Sequence, residues 1–516
     1  MKKERKSVKI KGGKNPPFFA AAFVKEGIFK MYRDERNLSM LTDFYELTMM
    51  NGYLEKGMED TVAVFDVFFR NIPDNGGFAI FAGLEQLIDY LKNLRFTEED
   101  IEFLRNKKCF SEKFLDYLRN FEFKCDVWSI PEGTPIFPRE PIIVIKGPAV
   151  QAQLIETVTL LIANHQSLIA TKANRIVRAA EGRPVMEFGS RRAQNADAAI
   201  LGARAAYIGG VGATACTLTD RDYGVPAVGT MAHSWVQLMG SEYEAFKAYA
   251  EIYPDNCTLL VDTYNVLKSG IPNAIRVFDE VLKPLGFRPK GVRIDSGDIA
   301  YLSRKARKML DDAGYPDCGI VASNSLDEYL IGDLIRQGAS INSFGVGENL
   351  ITAKSDPVFG CVYKLAAVER DGVLKPVIKI SESVGKITIP DFKTFYRFYS
   401  KESGKAMADY ISLYDEPAPD TSKPFTIFDP QDTWKKKDLE DVEARRMLVP
   451  IFEKGKCVYE SPSLKEIKKY CAEQVDTLWD EMKRFEYPHR YYVDLSEKLW
   501  NIRSELLNET THGYNK

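Results

Sequence analysis

The chain has 516 residues, 45% of them hydrophobic and 28% charged, with a formal net charge of −3 when histidine is neutral. This length permits a large core and two or three domains, and the near-neutral balance implies neither nucleic acid nor an anionic membrane as a partner. Eight cysteines are scattered without CxxC spacing, and no apolar run reaches bilayer length, so the composition reads as a cytoplasmic protein with reduced thiols.

The first stretch is basic: Lys2, Lys3, Arg5, Lys6, Lys9, Lys11 and Lys14 precede Pro16-Pro17 and the apolar run Phe18 to Val24. Lys25-Glu26 stand where a signal peptide would need small residues. Residues 1–37 therefore read as a disordered basic extension, with Met31 a natural beginning. From 38 to 150 the pattern is mixed α/β. Ser39 is expected to cap a helix through Asp43 to Met49, and Val62 to Phe69 reads as a strand. Helical patterns cover 83–94 and 98–120, and antiparallel strands are expected at 126–130 and 141–145.

Residues 151–180 form a long helical connector. Short apolar runs then recur at 185–188, 212–218, 227–228, 259–261, 291–294, 319–322, 341–345 and 361–364, with helical segments between them. Spacing of roughly 20–30 residues between short buried strands signals consecutive β/α units. About eight units fit an irregular β/α barrel over 151–370 better than a small open sheet. No GxGxxG follows the first strand and no GxxxxGK[ST] occurs, so neither a dinucleotide fold nor a P-loop is indicated. Residues 371–516 read as a C-terminal extension, strands first and then helices, the helical tail 464–507 broken at Pro488. The fold class expected is thus α/β: the barrel, an N-terminal α/β domain and an α+β/helical extension.

Each strand of the barrel region ends in polar residues, and such ends converge on one face. Gly189-Ser190-Arg191-Arg192 follows the first. Thr230 and His233, one of four histidines, follow the strand at 227–228. Asp262-Thr263-Tyr264, Asp295-Ser296-Gly297-Asp298, Ser323-Asn324-Ser325 and Gly345-Val346-Gly347-Glu348 follow the others. A GxG turn lets backbone N–H groups approach a phosphate, and Ser323 and Asn324 add donors. Arg191, Arg192, Arg293 and Arg70 offer guanidinium forks for phosphate or carboxylate. Asp262, Asp295 and Asp298 can hold Mg²⁺, bind ribose hydroxyls or face a cationic transition state. Tyr45 and Phe188 can sandwich a planar ring. Each feature also has a plain structural alternative: GxG as a tight turn, Asp-Ser-Gly-Asp as a turn and helix cap, Phe188 as core, Tyr45 as one knob of an amphipathic helix. The joint placement at successive strand ends is the stronger argument. His165, His489 and His512 read as structural.

Several of these motifs resemble the nicotinate phosphoribosyltransferase family: Thr42 to Met49, Phe68-Phe69-Arg70, Glu187 to Arg192, Gly229 to Ser234, Leu260 to Tyr264, Arg293 to Asp298, Phe344 to Gly347, Val362 to Leu365 and Pro488-His489-Arg490-Tyr491. They run in order from Leu38 to about Leu507. The resemblance implies an N-terminal α/β domain plus irregular barrel in a head-to-tail homodimer with shared active sites. It implies transfer of phosphoribose from 5-phosphoribosyl 1-diphosphate to nicotinate, giving nicotinate mononucleotide for NAD biosynthesis, with Mg²⁺ as cofactor and ATP as co-substrate. By the same resemblance His233 accepts the γ-phosphoryl group of ATP. Tyr45 and Phe188 flank the pyridine ring, and Thr230 and Arg293 line the nicotinate site. Arg191 contacts phosphate, while Asp262 and Asp295 hold ribose or metal, with Asp295 and Asp298 the candidate metal ligands. Ser323, Asn324, Gly345 and Gly347 hold the 5′-phosphate. One departure is Glu348, where the family usually has a threonine that donates to phosphate; a contact from Lys354 is a second open point. A nicotinamide-specific relative would carry an acid near Gly212 to Ala215, and none is present there. A non-catalytic pyridine-nucleotide-binding relative is the other alternative, opposed by the intact His233, Asp262, Arg293 and Asp295.

Overall fold

Two kinds of strand pattern build two kinds of sheet in the computed structural model, which describes residues 37–381 and 386–513. The basic N-terminal extension expected from the sequence lies outside the described residues. Long strands with turns between them form a seven-stranded sheet in the order Val373–Pro376, Val362–Arg370, Val62–Phe68, Ile143–Pro148, Asp126–Ser129, Val449–Glu453, Lys456–Cys457. All its pairings are antiparallel. Val62–Phe68 lies near the middle and is buried from Ala63 onward. It therefore carries a polar liability at Asp66, which Lys393 Nζ meets at 2.5 Å.

Short apolar runs form the second sheet. Its order is Ala213–Thr214, Val185–Glu187, Ser343–Val346, Gly319–Ser323, Gly291–Ile294, Thr258–Leu260, and every pairing is parallel. A parallel bridge from Thr214 to Ala227 adds one more chain segment at one edge. Six of the eight expected strands and this bridge thus appear in place. Among the described residues no ladder joins Ala227 to Thr258–Leu260 at the far edge, so the ladder is open. Side chains rather than backbone cross that gap, at the carboxyl ends of the strands.

The eighth expected unit, at 361–364, belongs elsewhere. Val362–Arg370 runs antiparallel beside Val62–Phe68. Its burial is interrupted, with Leu365 and the Glu369-Arg370 end facing outward. A strand of a doubly covered parallel sheet would be apolar throughout.

Local polar chemistry explains other differences from the sequence expectation. The helix expected over 98–120 is two helices, Glu98–Asn106 and Glu112–Arg119. Lys108 takes a left-handed φ of 58° and Ser111 caps the second helix by accepting from Phe114 N. Ser39 caps nothing: the first helix is Phe44–Glu55 and Ser39 Oγ accepts from Arg95 N at 2.9 Å. The tail contains an unexpected strand, Val493–Leu495, parallel to Ala406–Leu413 in a four-stranded sheet with Lys393–Ser400 and Val442–Arg446. No described helix is long and apolar enough to cross a membrane.

Buried ion pairs join the layers. The 24-residue helix Glu156–Ala179 carries Lys172 and Arg175 inward. Lys172 Nζ lies 3.0 Å from Asp74 and 2.9 Å from Glu328, and Arg175 Nε donates to Glu328 at 2.7 Å. Arg204, on Ala196–Ile208, has 0% exposure and reaches Glu85 at 2.6 Å and Glu132 at 2.9 Å. It fastens a helix that follows the first parallel strand to the N-terminal layer. Replacing a buried partner leaves the opposing carboxylates uncompensated. Arg204→Met is expected to lower unfolding free energy by about 3–5 kcal/mol, measured by urea denaturation; a change within about 0.5 kcal/mol, typical of a surface site, would refute the structural role.

Candidate active site at the carboxyl ends of the parallel strands

Arg293 occupies the penultimate position of strand Gly291–Ile294, and its guanidinium is the point where four chain segments meet. Nε donates to Ser323 Oγ at 2.9 Å, Nη1 to Thr230 Oγ1 at 3.1 Å, and Nη2 to Asp295 Oδ1 at 3.2 Å. Ser323 Oγ in turn donates to Asp295 Oδ1. The guanidinium carbon lies 5.8 Å from the centroid of the Phe188 ring. Residues 188, 230, 293, 295 and 323 are thus brought together as the sequence pattern required.

The Phe188 ring has its place because position 345 lacks a side chain. A Cβ on Gly345 would sit 2.5 Å from two ring carbons of Phe188, and one on Gly347 would meet the Phe188 carbonyl oxygen at 3.2 Å. Phe188 N donates to Val346 O at 2.7 Å. The glycines therefore serve aromatic packing directly, whatever they also offer a ligand.

His233 begins the helix His233–Leu238 and is 42% exposed at its side chain. Its Nδ1 lies 3.1 Å from Thr263 Oγ1, and its Nε2 lies 3.9 Å from Asp295 Oδ2. These contacts, with Arg293 to Thr230, join the two edges of the parallel sheet that the ladder leaves apart. Asp262 is nearly buried. Its Oδ2 accepts from Asp295 N at 3.0 Å and Ser296 Oγ at 2.6 Å, while Oδ1 is buried without a partner among the described residues.

The phosphate candidates lie on adjacent strand ends. Asn324 and Ser325 both have left-handed backbone, φ 88° and 51°, an expensive arrangement for two successive non-glycine residues. Asn349 Nδ2 secures the turn, donating to Ser325 O at 2.9 Å and Leu326 O at 3.2 Å. Arg191 and Arg192 are exposed on the turn after Val185–Glu187. Glu348 is engaged by cations: Lys354 Nζ at 2.7 Å and Arg192 Nε at 3.8 Å.

Three expected residues stand apart. Asp298 is the N-cap of helix Ile299–Asp312, accepting from Tyr301 N at 2.9 Å, so the turn-and-cap reading applies to it. Tyr45 lies on the helix of the antiparallel layer, half exposed, and its phenol is pushed up to about 12 by burial and by Glu156. Arg70 stacks over Phe68 at 5.7 Å, and its Nε is buried without a partner among the described residues.

Residues without an assigned role in the sequence reading complete the arrangement. Thr263 and Ser296 orient His233 and Asp262, and both follow a singled-out aspartate directly. Glu187 is fully buried, with no cation beside it among the described residues. Its carboxylate accepts from Thr214 Oγ1 at 2.6 Å and from Gly189 N, fixing the exit of the strand that carries Phe188. Burial pushes its carboxyl pKa up. An acid within an apolar strand was the available signal.

Polar groups assembled at the carboxyl ends of parallel strands are the site of an α/β enzyme. The nicotinate phosphoribosyltransferase N-terminal domain pattern matches residues 40–164, the family pattern matches 184–403 and the C-terminal domain pattern matches 392–503. Nicotinate phosphoribosyltransferase of Bacillus subtilis is 44% identical over 478 residues, covering 93% of this chain and 96% of that protein. The protein of the same name from Caenorhabditis elegans is 34% identical, covering 90% and 92%. The crystal structure of human nicotinic acid phosphoribosyltransferase superposes with a TM-score of 0.78 at 28% identity, covering 90% of this chain and 100% of that one. The chain belongs to the nicotinate phosphoribosyltransferase family.

The packing of Phe188 on Gly345 yields a direct test. Gly345→Ala forces the ring out of place, and overpacking of this kind costs about 1–3 kcal/mol. Thermal unfolding is expected to show that loss, and the same change made in a Phe188→Ala background is expected to cost much less. An equal cost of Gly345→Ala in the two backgrounds would contradict the ring-on-glycine contact.

Proposed function

We propose that this protein is a nicotinate phosphoribosyltransferase that joins nicotinate to the phosphoribosyl group of 5-phosphoribosyl 1-diphosphate, releasing diphosphate, in NAD biosynthesis. The observation that carries the reading is the Arg293 guanidinium beside the Phe188 ring, flanked by Thr230. A flat anionic heterocycle fits that slot: Phe188 covers a ring face while Arg293 and Thr230 meet the carboxylate. Nicotinamide would want an acceptor for its amide. The buried carboxylate that precedes Phe188 in the chain, Glu187, already accepts from Thr214 and Gly189 N.

In the transfer, the pyridine nitrogen forms its bond to the anomeric carbon as the bond to diphosphate breaks. We assign to Asp262 and Asp295 the stabilisation of the positive charge that develops on the ribose. The 5′-phosphate is assigned to the turns at Ser323-Asn324 and Gly345–Gly347, with Arg191 at their edge. The donors present suit Mg²⁺ held by few protein ligands. Asp262 Oδ1 is a buried acceptor without a partner among the described residues, and Asp295 lies next to it. Among the described residues no group of three His, Cys, Asp or Glu is placed to hold a metal ion, so substrate oxygens and waters would have to supply the other ligands. Bound Mg²⁺ would offset charge on the diphosphate. Asp262, rather than the helix cap Asp298, would be the companion of Asp295 in this role.

We assign ATP coupling to His233. Its ring nitrogen attacks the γ-phosphorus, ADP leaves, and hydrolysis of the N–P bond drives the transfer. The ring is accessible and is oriented by Thr263. We read the open parallel sheet, spanned by side chains at its gap, as the irregular barrel of this family. We also assign a homodimer, because Tyr45 stands exposed beside Leu38, Leu41 and Phe44 and away from the Arg293 cluster. A second copy supplies it to the free ring face. We assign the cytoplasm as its compartment, a reading supported by eight cysteines without paired spacing.

Purified protein supplied with 5-phosphoribosyl 1-diphosphate, ATP and Mg²⁺ is expected to consume nicotinate and leave nicotinamide untouched. His233→Ala is expected to abolish ATP stimulation. Consumption of nicotinamide alone would overturn the substrate assignment, and intact ATP stimulation in the variant would overturn the role of His233.

A further inference from the structure

Glu348 is the residue that the phosphate reading leaves unexplained. It follows Gly347 and begins the short helix Glu348–Ile351. A carboxylate facing a phosphate turn should repel the ligand, yet this one is engaged on both oxygens. Oε1 accepts from Lys354 Nζ at 2.7 Å, and Oε2 lies 3.8 Å from Arg192 Nε. The two cations come from different segments. Arg192 belongs to the turn after Val185–Glu187, Lys354 to the chain beyond the short helix, and Val185–Glu187 pairs directly with Ser343–Val346. The three charges therefore span the mouth between two adjacent strand ends. Their side chains are 41%, 60% and 63% exposed for Glu348, Arg192 and Lys354. Ion pairs this exposed are weak and exchange readily. The hydrogen bond from Lys354 holds the Glu348 carboxyl below its ordinary range, so it stays ionised at neutral pH.

We propose that Glu348 is an affinity-setting residue, an internal anion that occupies Lys354 and Arg192 until a phosphate group takes them over. This rests on the reading that the turn at Gly345–Gly347 receives the 5′-phosphate. Binding then exchanges one anion for another: the two cations turn to the phosphate and Glu348 swings out to water. A threonine at this position would add a donor, whereas Glu348 adds a competitor. Substrate and mononucleotide product carry the same 5′-phosphate, so the competition weakens both alike and shortens the stay of product.

Glu348→Gln keeps the side-chain size and removes the competing charge. Titration calorimetry with inorganic phosphate is expected to give a Kd about three- to five-fold lower for this variant, the range an exposed ion pair spans. The KM for 5-phosphoribosyl 1-diphosphate should fall in parallel. Lys354→Ala is expected to weaken phosphate binding, and in that background Glu348→Gln should lose most of its effect. A Kd unmoved by Glu348→Gln overturns the inference, as does an effect of the same size with and without Lys354, which would mean simple repulsion. Phosphate binding is read independently of turnover. Absence of nicotinate turnover in the unaltered protein would therefore count against the proposed function and not against this device.

Discussion

The structure of the site depends on satisfying one largely buried guanidinium. Arg293 projects from a short parallel strand where its charge has to be met by fixed partners. Ser323, Thr230 and Asp295 meet it, each from a different segment, and Phe188 covers one side. The same set spans the gap that the parallel ladder leaves between Ala227 and Thr258–Leu260, helped by His233 and Thr263. One group thereby does two things. It closes the carboxyl end of the sheet, and it presents a cation beside an aromatic face.

The surroundings are built to keep that arrangement in register. Glu187 ties the strand that carries Phe188 to Thr214 and to the following turn, and the absence of a Cβ at Gly345 leaves room for the ring. Asp262 holds the backbone at Asp295. Farther out, Arg204 and the Lys172–Arg175 cluster bind the helices behind the sheet to the N-terminal layer. In the C-terminal sheet Arg397 forms a two-pronged pair with Asp409, at 2.8 and 2.7 Å, and Tyr491 donates to the same carboxylate at 3.0 Å. Tyr491, part of the sequence motif near Pro488, thus serves the scaffold.

Much of this is legible in the chain, because a series of short apolar runs that each end in polar residues is hard to accommodate except as parallel strands opening onto a site. The ends at 188, 230, 262, 293–295 and 323 follow that pattern and meet in space. What is not legible depends on partners distant in sequence. Val362–Arg370 has strand character, but only its pairing with Val62–Phe68 decides which sheet it joins. Ladder closure depends on edge geometry that no local pattern encodes. Asp298 has the chemistry of a ligand and the position of a cap. Thr263 and Ser296 give no signal in the sequence, because a hydroxyl beside an aspartate is common. Tyr45 and Arg70 have the chemistry of a ring partner and a guanidinium fork, but within one chain they stand in the antiparallel layer.

The central claim is that the Arg293 fork both organises the site and receives the substrate carboxylate. Arg293→Lys keeps the charge but cannot hold three partners in one plane. Steady-state kinetics with nicotinate should show kcat/KM falling by about 100-fold or more, the scale of losing a preorganised charged contact, while circular dichroism shows the fold retained. Turnover of nicotinate near the unaltered level in a folded Arg293→Lys protein would contradict the account.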